Sequence, residues 1–497
     1  MEWPVRKESV DGFWQRLEAG AQERESFPLL SRPVVHVTLL VVLALVLCLG
    51  GLSPKKILEG DEALYALVPK TILLTGNWVR LTYNGEPYYF KPPLNFWITA
   101  AFFKVLPMNA LTASLGSGLF GALVALMIYV MCRIMFPGWV LAFSATLVYL
   151  TTHEVLHWTR GAHLETVLTF CILFGLLMAY LSRKNSAAIV GMGVAAALGW
   201  LAKGPQALYP GAVALIMWKT EGVFWRRLFS FWSIASAVVL AAIIAPWLLT
   251  RFQAESGFAQ GYFLKELGRT LFGPTQTGNP PYYYFVNIVQ SYWPWLPAAA
   301  MGFYILARGW KRSPGARLWL VYTVVLVAVV MITAEKRMRY LFQLYPALSV
   351  AGGAAVTFAI QRYRTALHIF IVLVVAVALG LTIFARKNRL PSPPTADALV
   401  VAEKLRPEDR VWLTDRTEHG LGKEPSVAKT IGFYAPPLLR SCEGKCDKEA
   451  TPGSLVVARA DEADEVARLV RGRVDYANKT LALIKVPVSS DENRTRP

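Results

Sequence analysis

Between residues 34 and 385 long apolar runs alternate with polar loops, and this alternation sets the architecture of the chain. The runs lie at 34–52, 111–132, 139–151, 166–181, 187–202, 208–218, 228–249, 293–307, 318–334, 340–360 and 366–385. Apolar stretches near twenty residues match the hydrocarbon thickness of a bilayer, and the shorter ones fit re-entrant segments. The pattern predicts a polytopic α-helical membrane protein with about 11–13 transmembrane helices. A further apolar run at 94–106 is too short to span and suits an interfacial helix.

The pattern changes at both ends. Residues 1–33 are polar and read as a cytoplasmic leader, in which 12–21 forms either an amphipathic helix on the inner surface or a solvated segment. That leader is too long for the charged start of a cleavable signal, so the first apolar run reads as an anchor. Beyond Arg386 the stretch 390–395, Leu-Pro-Ser-Pro-Pro-Thr, reads as a linker. Helices are expected near 396–405, 426–434 and 462–470, with strands near 410–414, 454–458 and 480–486. That alternation predicts a small extracytoplasmic α/β domain over 386–497, beside a transmembrane domain over 34–385 with outer loops at 53–110 and 251–292.

Composition sharpens the membrane reading. The chain has 497 residues, 55% apolar, and a mean hydropathy of +0.40. Its formal net charge is +18, from 51 Lys+Arg against 33 Asp+Glu. Nucleic-acid binding would place a basic face on a soluble domain. Here the basic clusters fall in alternate loops, as they do when cytoplasmic loops retain positive charge. With those loops inside, the loops that mix acids, aromatics and histidines all fall outside. The expectation is a multi-pass protein of the cell inner membrane with its active site facing the periplasm.

The outer loops hold the candidate chemistry. In the stretch 59–93, Asp61 and Glu62 are either solvated loop acids or a base that deprotonates a hydroxyl. Lys91, fixed before Pro92 and Pro93, either snorkels or grips a lipid-borne phosphate. Lys336, Arg337 and Arg339 lie outside, against the positive-inside trend, and imply an anionic partner. Lys203 and Arg269 add outer cations. Tyr65, Tyr88, Tyr89 and Tyr283 are candidates to line a substrate cavity. His153, His157 and His163 share a loop with Glu154 and Glu165, but their spacing is no recognised ligand set, so neither metal nor cofactor is expected. Of five cysteines, Cys48, Cys132 and Cys171 lie in apolar runs and read as packing residues. Cys442 and Cys446 form either a disulfide or a free pair.

These residues together resemble the GT-C membrane glycosyltransferases, in particular the bacterial aminoarabinose transferases related to protein O-mannosyltransferases. The resemblance rests on 60–66 (Gly-Asp-Glu-Ala-Leu-Tyr-Ala), 76–79 (Gly-Asn-Trp-Val), Asn84-Gly85, Tyr88 and Lys91-Pro92-Pro93-Leu94 with Trp97. It continues through 202–205 (Ala-Lys-Gly-Pro), Arg269, 293–295 (Trp-Pro-Trp), 336–340 (Lys-Arg-Met-Arg-Tyr) and 345–347 (Tyr-Pro-Ala), covering roughly residues 34 to 360. It implies a sugar donor on a polyprenyl phosphate, inversion at the anomeric carbon, and an extracytoplasmic acceptor such as lipid A, another envelope glycan or a protein. Asp61 matches the catalytic base or charge stabiliser, and Glu165 a second acid. Lys91, Arg269 and Arg339 match donor-phosphate ligands. Phe90 stands where the aminoarabinose enzymes carry an acid of a metal site, which leaves the sugar open. A transporter or flippase of polyprenyl-linked sugars is the alternative, yet the runs hold few charges for a buried polar pathway. A scaffold displaying the tail would require neither Asp61 nor the outer cations.

Overall fold

The computed structural model describes residues 10–19, 32–268, 273, 279–280, 282–333, 336–363, several between 366 and 380, 392–419, 427–442 and 445–487. Two compact units emerge. The first comprises Met1–Leu52, Phe90–Asn95 and Ser114–Lys387, and the second Ser53–Tyr89, Phe96–Ala113 and Asn388–Pro497.

The first unit is built of apolar helices. Among the described residues, Ala110–Met135, Phe231–Ala254, Pro314–Ile332 and Met338–Arg362 are long and apolar enough to cross a membrane. Pro33–Leu49, Val140–Leu150, Glu165–Leu181, Ala188–Lys203 and Leu296–Arg308 are apolar but shorter. The chain is a multi-pass membrane protein, in which several expected spans are short helices ended by prolines or charges. Gly204 and Pro205 follow Lys203, and a 3-10 turn, Pro205–Leu208, leads into the helix Tyr209–Thr220 that forms the run expected at 208–218.

Small residues let these helices approach closely. A Cβ at Gly302 of Leu296–Arg308 would collide with the Ala351 carbonyl of Tyr345–Arg362, and one at Gly353 would strike Ala145 of Val140–Leu150. The leader forms a helix over Val10–Ala19. It is docked onto the protein: Phe13 and Trp14 are buried, and the Trp14 indole N–H donates to the Ile305 carbonyl at 3.2 Å. A buried indole needs such an acceptor.

The second unit joins the segments Ser53–Tyr89 and Phe96–Ala113 to the tail. Within it Thr82–Tyr83 (β1) and Glu86–Pro87 (β2) form an antiparallel hairpin, and the tail supplies Val411–Leu413 (β3), Leu439–Ser441 (β4), Leu455–Arg459 (β5), Arg473–Ala477 (β6) and Leu481–Lys485 (β7), in the sheet order β4-β3-β5-β7-β6. β4, β3 and β5 run parallel, whereas β7 is antiparallel to both β5 and β6. Strand side chains alternate between faces. Val457, Leu481 and Leu483 pack with the helices Pro393–Lys404 and Ala428–Tyr434, through Ala398, Val401 and Ile431. Val456, Ala458 and Ile484 pack against Val466 and Ala467 of Ala463–Leu469, beside the Cys442–Cys446 disulfide. The expected α/β order is present. β4 and β6 were not foreseen, since β4 is only three residues long and β6 is mostly exposed, so neither shows a clear period.

The outer-loop helix Gly60–Thr75 is buried continuously from Ala63 to Ile72. It packs against Ala428–Tyr434, where Lys70 donates to the carbonyls of Gly432 (2.8 Å), Phe433 (3.2 Å) and Ala435. These are carbonyls that a helix end leaves without intrahelical partners, and an ammonium also complements the helix dipole there. Burial pulls the Lys70 amine down to about 8. The Tyr434 hydroxyl accepts from the Leu58 N–H and donates to the Lys56 carbonyl, each at 3.0 Å.

Candidate active site

In the membrane unit the helix ends gather charge. Glu165 opens Glu165–Leu181 and Lys203 closes Ala188–Lys203. A helix N-terminus favours a carboxylate and a C-terminus an ammonium, so both sit at the electrostatically favoured end. The two helices pack on each other, and Lys203 Nζ lies 2.8 Å from Glu165 Oε1. Their side chains are 5% and 1% exposed, so the pair is shielded from screening by water. The Leu164 N–H donates to the second carboxylate oxygen at 2.9 Å.

Further charges act on this pair. Arg339 and His163 bear electrostatically on Glu165, and Arg339 and Lys91 on Lys203. The Tyr340 ring lies 5.7 Å from Lys203 Nζ. Lys203 and Arg339 thus act on one buried carboxylate, and Lys91 adds positive charge beside Lys203. Such an excess suits an anion whose oxygens accept charge-assisted hydrogen bonds. Backbone geometry assists, because Gly204 at φ +110° turns the chain sharply after Lys203. That conformation suits a residue without a Cβ.

His163 is positioned from a distance. Its backbone N–H donates to Ser117 Oγ at 2.9 Å, and that hydroxyl donates back to its carbonyl at 2.8 Å. Its ring lies 4.5 Å from the Trp158 ring, and the Trp158 N–H donates to Glu154 at 2.9 Å. Burial raises the Glu154 carboxyl, but the His153 hydrogen bond, the His157 and His153 charges and the Trp158 donor outweigh it and hold the group below its ordinary value.

The predicted site residues divide between the units. Lys91, Glu165, Lys203 and Arg339 come together in the first. Lys336, beside them in sequence, donates to the Thr333 carbonyl at 3.0 Å and so caps the end of Pro314–Ile332. The Arg337 N–H donates to the Tyr284 hydroxyl at 3.3 Å. Tyr283 is half-buried with its ring 5.5 Å from that of Tyr284, and Arg269 lies outside the described residues.

Asp61 and Glu62 belong to the second unit, in the first turn of Gly60–Thr75, where the helix dipole favours acids. Glu62 pairs with Lys56 at 2.7 Å. Tyr65 and Tyr88 are largely buried, with rings 6.1 and 5.6 Å from that of Phe96, and Tyr89 is half-buried. Two contributors escaped the sequence reading as parts of this charge cluster. His163 was weighed only as a metal ligand, and Tyr340 only as part of a motif. Ser117, which fixes His163, is 46 residues away in sequence, and no local pattern links them.

Residues 90–249 match the family model of dolichyl-phosphate-mannose-protein mannosyltransferases. Among solved structures, ArnT from Cupriavidus metallidurans bound to undecaprenyl phosphate superposes with a TM-score of 0.76, covering 91% of this chain and 98% of that one at 18% identity. The chain has the GT-C fold. The Archaeoglobus fulgidus oligosaccharyltransferase in its apo form shares the GT-C architecture at a TM-score of 0.56 and 12% identity, covering 90% of this chain and 71% of that one. In sequence, an undecaprenyl phosphate-alpha-4-amino-4-deoxy-L-arabinose arabinosyl transferase of Edwardsiella ictaluri is 26% identical over 284 residues, 55% of this chain and 50% of the relative. One of Pseudomonas aeruginosa is 29% identical over 254 residues, 48% of this chain and 45% of the relative. The match therefore spans about half the length of these relatives.

Proposed function

We propose that this protein is an inner-membrane glycosyltransferase that moves a hexose or pentose from a polyprenyl-phosphate donor to an acceptor on the periplasmic side. One observation carries this reading: the buried Lys203–Glu165 pair joins the ends of two apolar helices, and the charges of Arg339 and Lys91 bear on it. A phosphate on a lipid carrier is the anion that such a place can recognise, since its tail needs lipid and its headgroup needs fixed cations. The relatives named for undecaprenyl phosphate-linked aminoarabinose, and the solved structure bound to undecaprenyl phosphate, support the same donor class.

In this reading the three cations stabilise the negative charge that grows on the donor phosphate as its bond to the anomeric carbon breaks. Glu165 is a positioning residue that keeps the Lys203 amine charged and oriented. The acceptor oxygen attacks from the opposite face, which inverts the anomeric centre. Asp61 takes the proton of a hydroxyl acceptor, as the resemblance implies. The carrier leaves as polyprenyl phosphate, so bonds and charge balance without a nucleotide or a redox cofactor. An acceptor that is itself a phosphate needs no base, and Asp61 then acts through its charge. The acceptor class is lipid A, another envelope glycan or a protein.

The decisive experiment supplies purified full-length protein with radiolabelled polyprenyl-phosphate sugar and each acceptor class. Label transferred to an acceptor, with release of polyprenyl phosphate, supports the proposal. Donor carried across proteoliposomes with its glycosidic bond intact, and no transfer, would establish a transporter instead.

A further inference from the structure

The second unit contains a cavity of 780 Å³ walled by the outer-loop segment and the sheet of the tail. Three arginines line it, and they arrive from separate places: Arg80 from the loop after Gly60–Thr75, Arg410 from the entry to β3, and Arg440 from β4. One carboxylate, Asp409, joins them, and its Oδ2 already accepts the Arg406 N–H at 2.7 Å. The wall is therefore strongly cationic.

Two of the arginines have local support. Asn77 Oδ1 accepts the N–H groups of Val79 and Arg80, at 3.1 and 2.8 Å, and so fixes the turn that presents Arg80. Arg440 stands opposite Trp412 in the parallel pairing of β3 and β4, with its guanidinium carbon 5.7 Å from the indole centroid. The tip of the outer-loop hairpin closes over that strand, where the Ser441 N–H donates to the Asn84 carbonyl at 3.2 Å. Gly85, at φ +84°, makes this approach, and a Cβ there would meet the Arg440 side chain at 3.6 Å. A hairpin that seats itself on an arginine preorganises a charged wall.

We propose that this cavity binds a phosphate ester carried on a sugar. Guanidinium forks match phosphate oxygens in pairs, and three of them from separate elements can surround one such group. The volume fits a small ligand and far exceeds a bare phosphate ion. Val411, Trp412, Leu438 and Leu439 also line the cavity and give it apolar surface beside the arginines, of the kind a sugar ring packs against. The site lies wholly within the second unit and is read by binding, so it stands or falls separately from the transferase reading.

The test uses full-length protein in a neutral detergent and calorimetric titration with glucose 1-phosphate, glucose, inorganic phosphate and dihexanoyl phosphatidic acid. Glucose 1-phosphate should bind at least about tenfold more tightly than glucose or inorganic phosphate. The paired change Arg410→Gln and Arg440→Gln should weaken it by about tenfold or more, a loss expected when charge-assisted contacts go. Arg410→Gln alone, at an exposed side chain, should weaken it severalfold with an unchanged melting temperature. Tighter binding of the phosphatidic acid would overturn the glycan assignment in favour of a lipid headgroup. Equal affinity of wild type and both arginine variants for glucose 1-phosphate would overturn the site.

Discussion

Lys203 Nζ lies 2.8 Å from Glu165 Oε1, and the two side chains are almost entirely hidden from solvent. Removing one member of such a pair leaves an uncompensated buried charge, which costs about 3–5 kcal/mol. Glu165→Gln should therefore lower the melting temperature in detergent and sharply reduce transfer. Combining Glu165→Gln with Lys203→Met removes both charges and should recover much of the stability, because changes at residues in contact are not additive. Transfer should stay lost, since the donor phosphate still lacks the lysine. Recovery of transfer in the double variant would show that the pair is structural only.

Arg339 bears electrostatically on both members of that pair, whereas Lys336 caps the end of Pro314–Ile332. Arg339→Gln should raise the KM for the lipid-linked donor about tenfold, in line with the worth of a charge-assisted hydrogen bond. Arg339→Lys should retain part of the affinity while losing the paired geometry of the guanidinium. Competition by polyprenyl phosphate alone measures this without the chemical step. Unchanged competition in Arg339→Gln would remove Arg339 from the donor site.

Asp61 is half-buried at the start of its helix, next to Glu62, which pairs with Lys56. In the proposed reading Asp61 is the proton acceptor for a hydroxyl substrate. Asp61→Asn should lower kcat by about 100-fold or more, the usual contribution of a general base, with donor affinity little changed. Glu62→Gln should be milder, since it loses only a partly exposed ion pair. A normal kcat in Asp61→Asn with a hydroxyl acceptor would exclude the base role.

Much of this was legible in the chain itself. The apolar runs gave the membrane helices, because burial in lipid demands long apolar segments whatever the tertiary packing. Arg339 stood out because, with Lys336 and Arg337, it breaks the expected positive-inside trend, Lys91 because two prolines follow it, and Lys203 because it is a cation at the end of an apolar run. The Glu165–Lys203 contact was not legible, since 38 residues separate the partners and only the packing of two helices brings them together. Lys70 was invisible for a related reason. It sits in an apolar helix with no motif around it, and its partners are backbone carbonyls 362 to 365 positions later. Backbone acceptors leave no trace in side-chain spacing. β6 also escaped, because an exposed edge strand does not need the alternation that marks a half-buried one.

Lys70 ties the helix Gly60–Thr75 to the tail, with 4% of its surface exposed and three carbonyls as acceptors. Lys70→Met keeps the length of the side chain but leaves those carbonyls buried without their donor, at a cost of about 1–3 kcal/mol. The tail should then become more susceptible to protease in the full-length protein. The pH dependence follows from burial, which holds the folded amine near 8, below its ordinary value of 10.5. Below both values the amine is charged in the folded and unfolded chain alike, and the full burial penalty is present. Between them the unfolded chain binds the extra proton, so stability contributed by this residue rises as pH increases from about 8 to about 10.5. Protection of the tail in the wild type should climb across that window relative to Lys70→Met, in which this contribution is absent. Parallel curves for the two proteins would show that Lys70 does not titrate there. Loss of protection in wild type above about pH 8, but not in Lys70→Met, would show that the three carbonyls need a charged donor and outweigh the burial penalty.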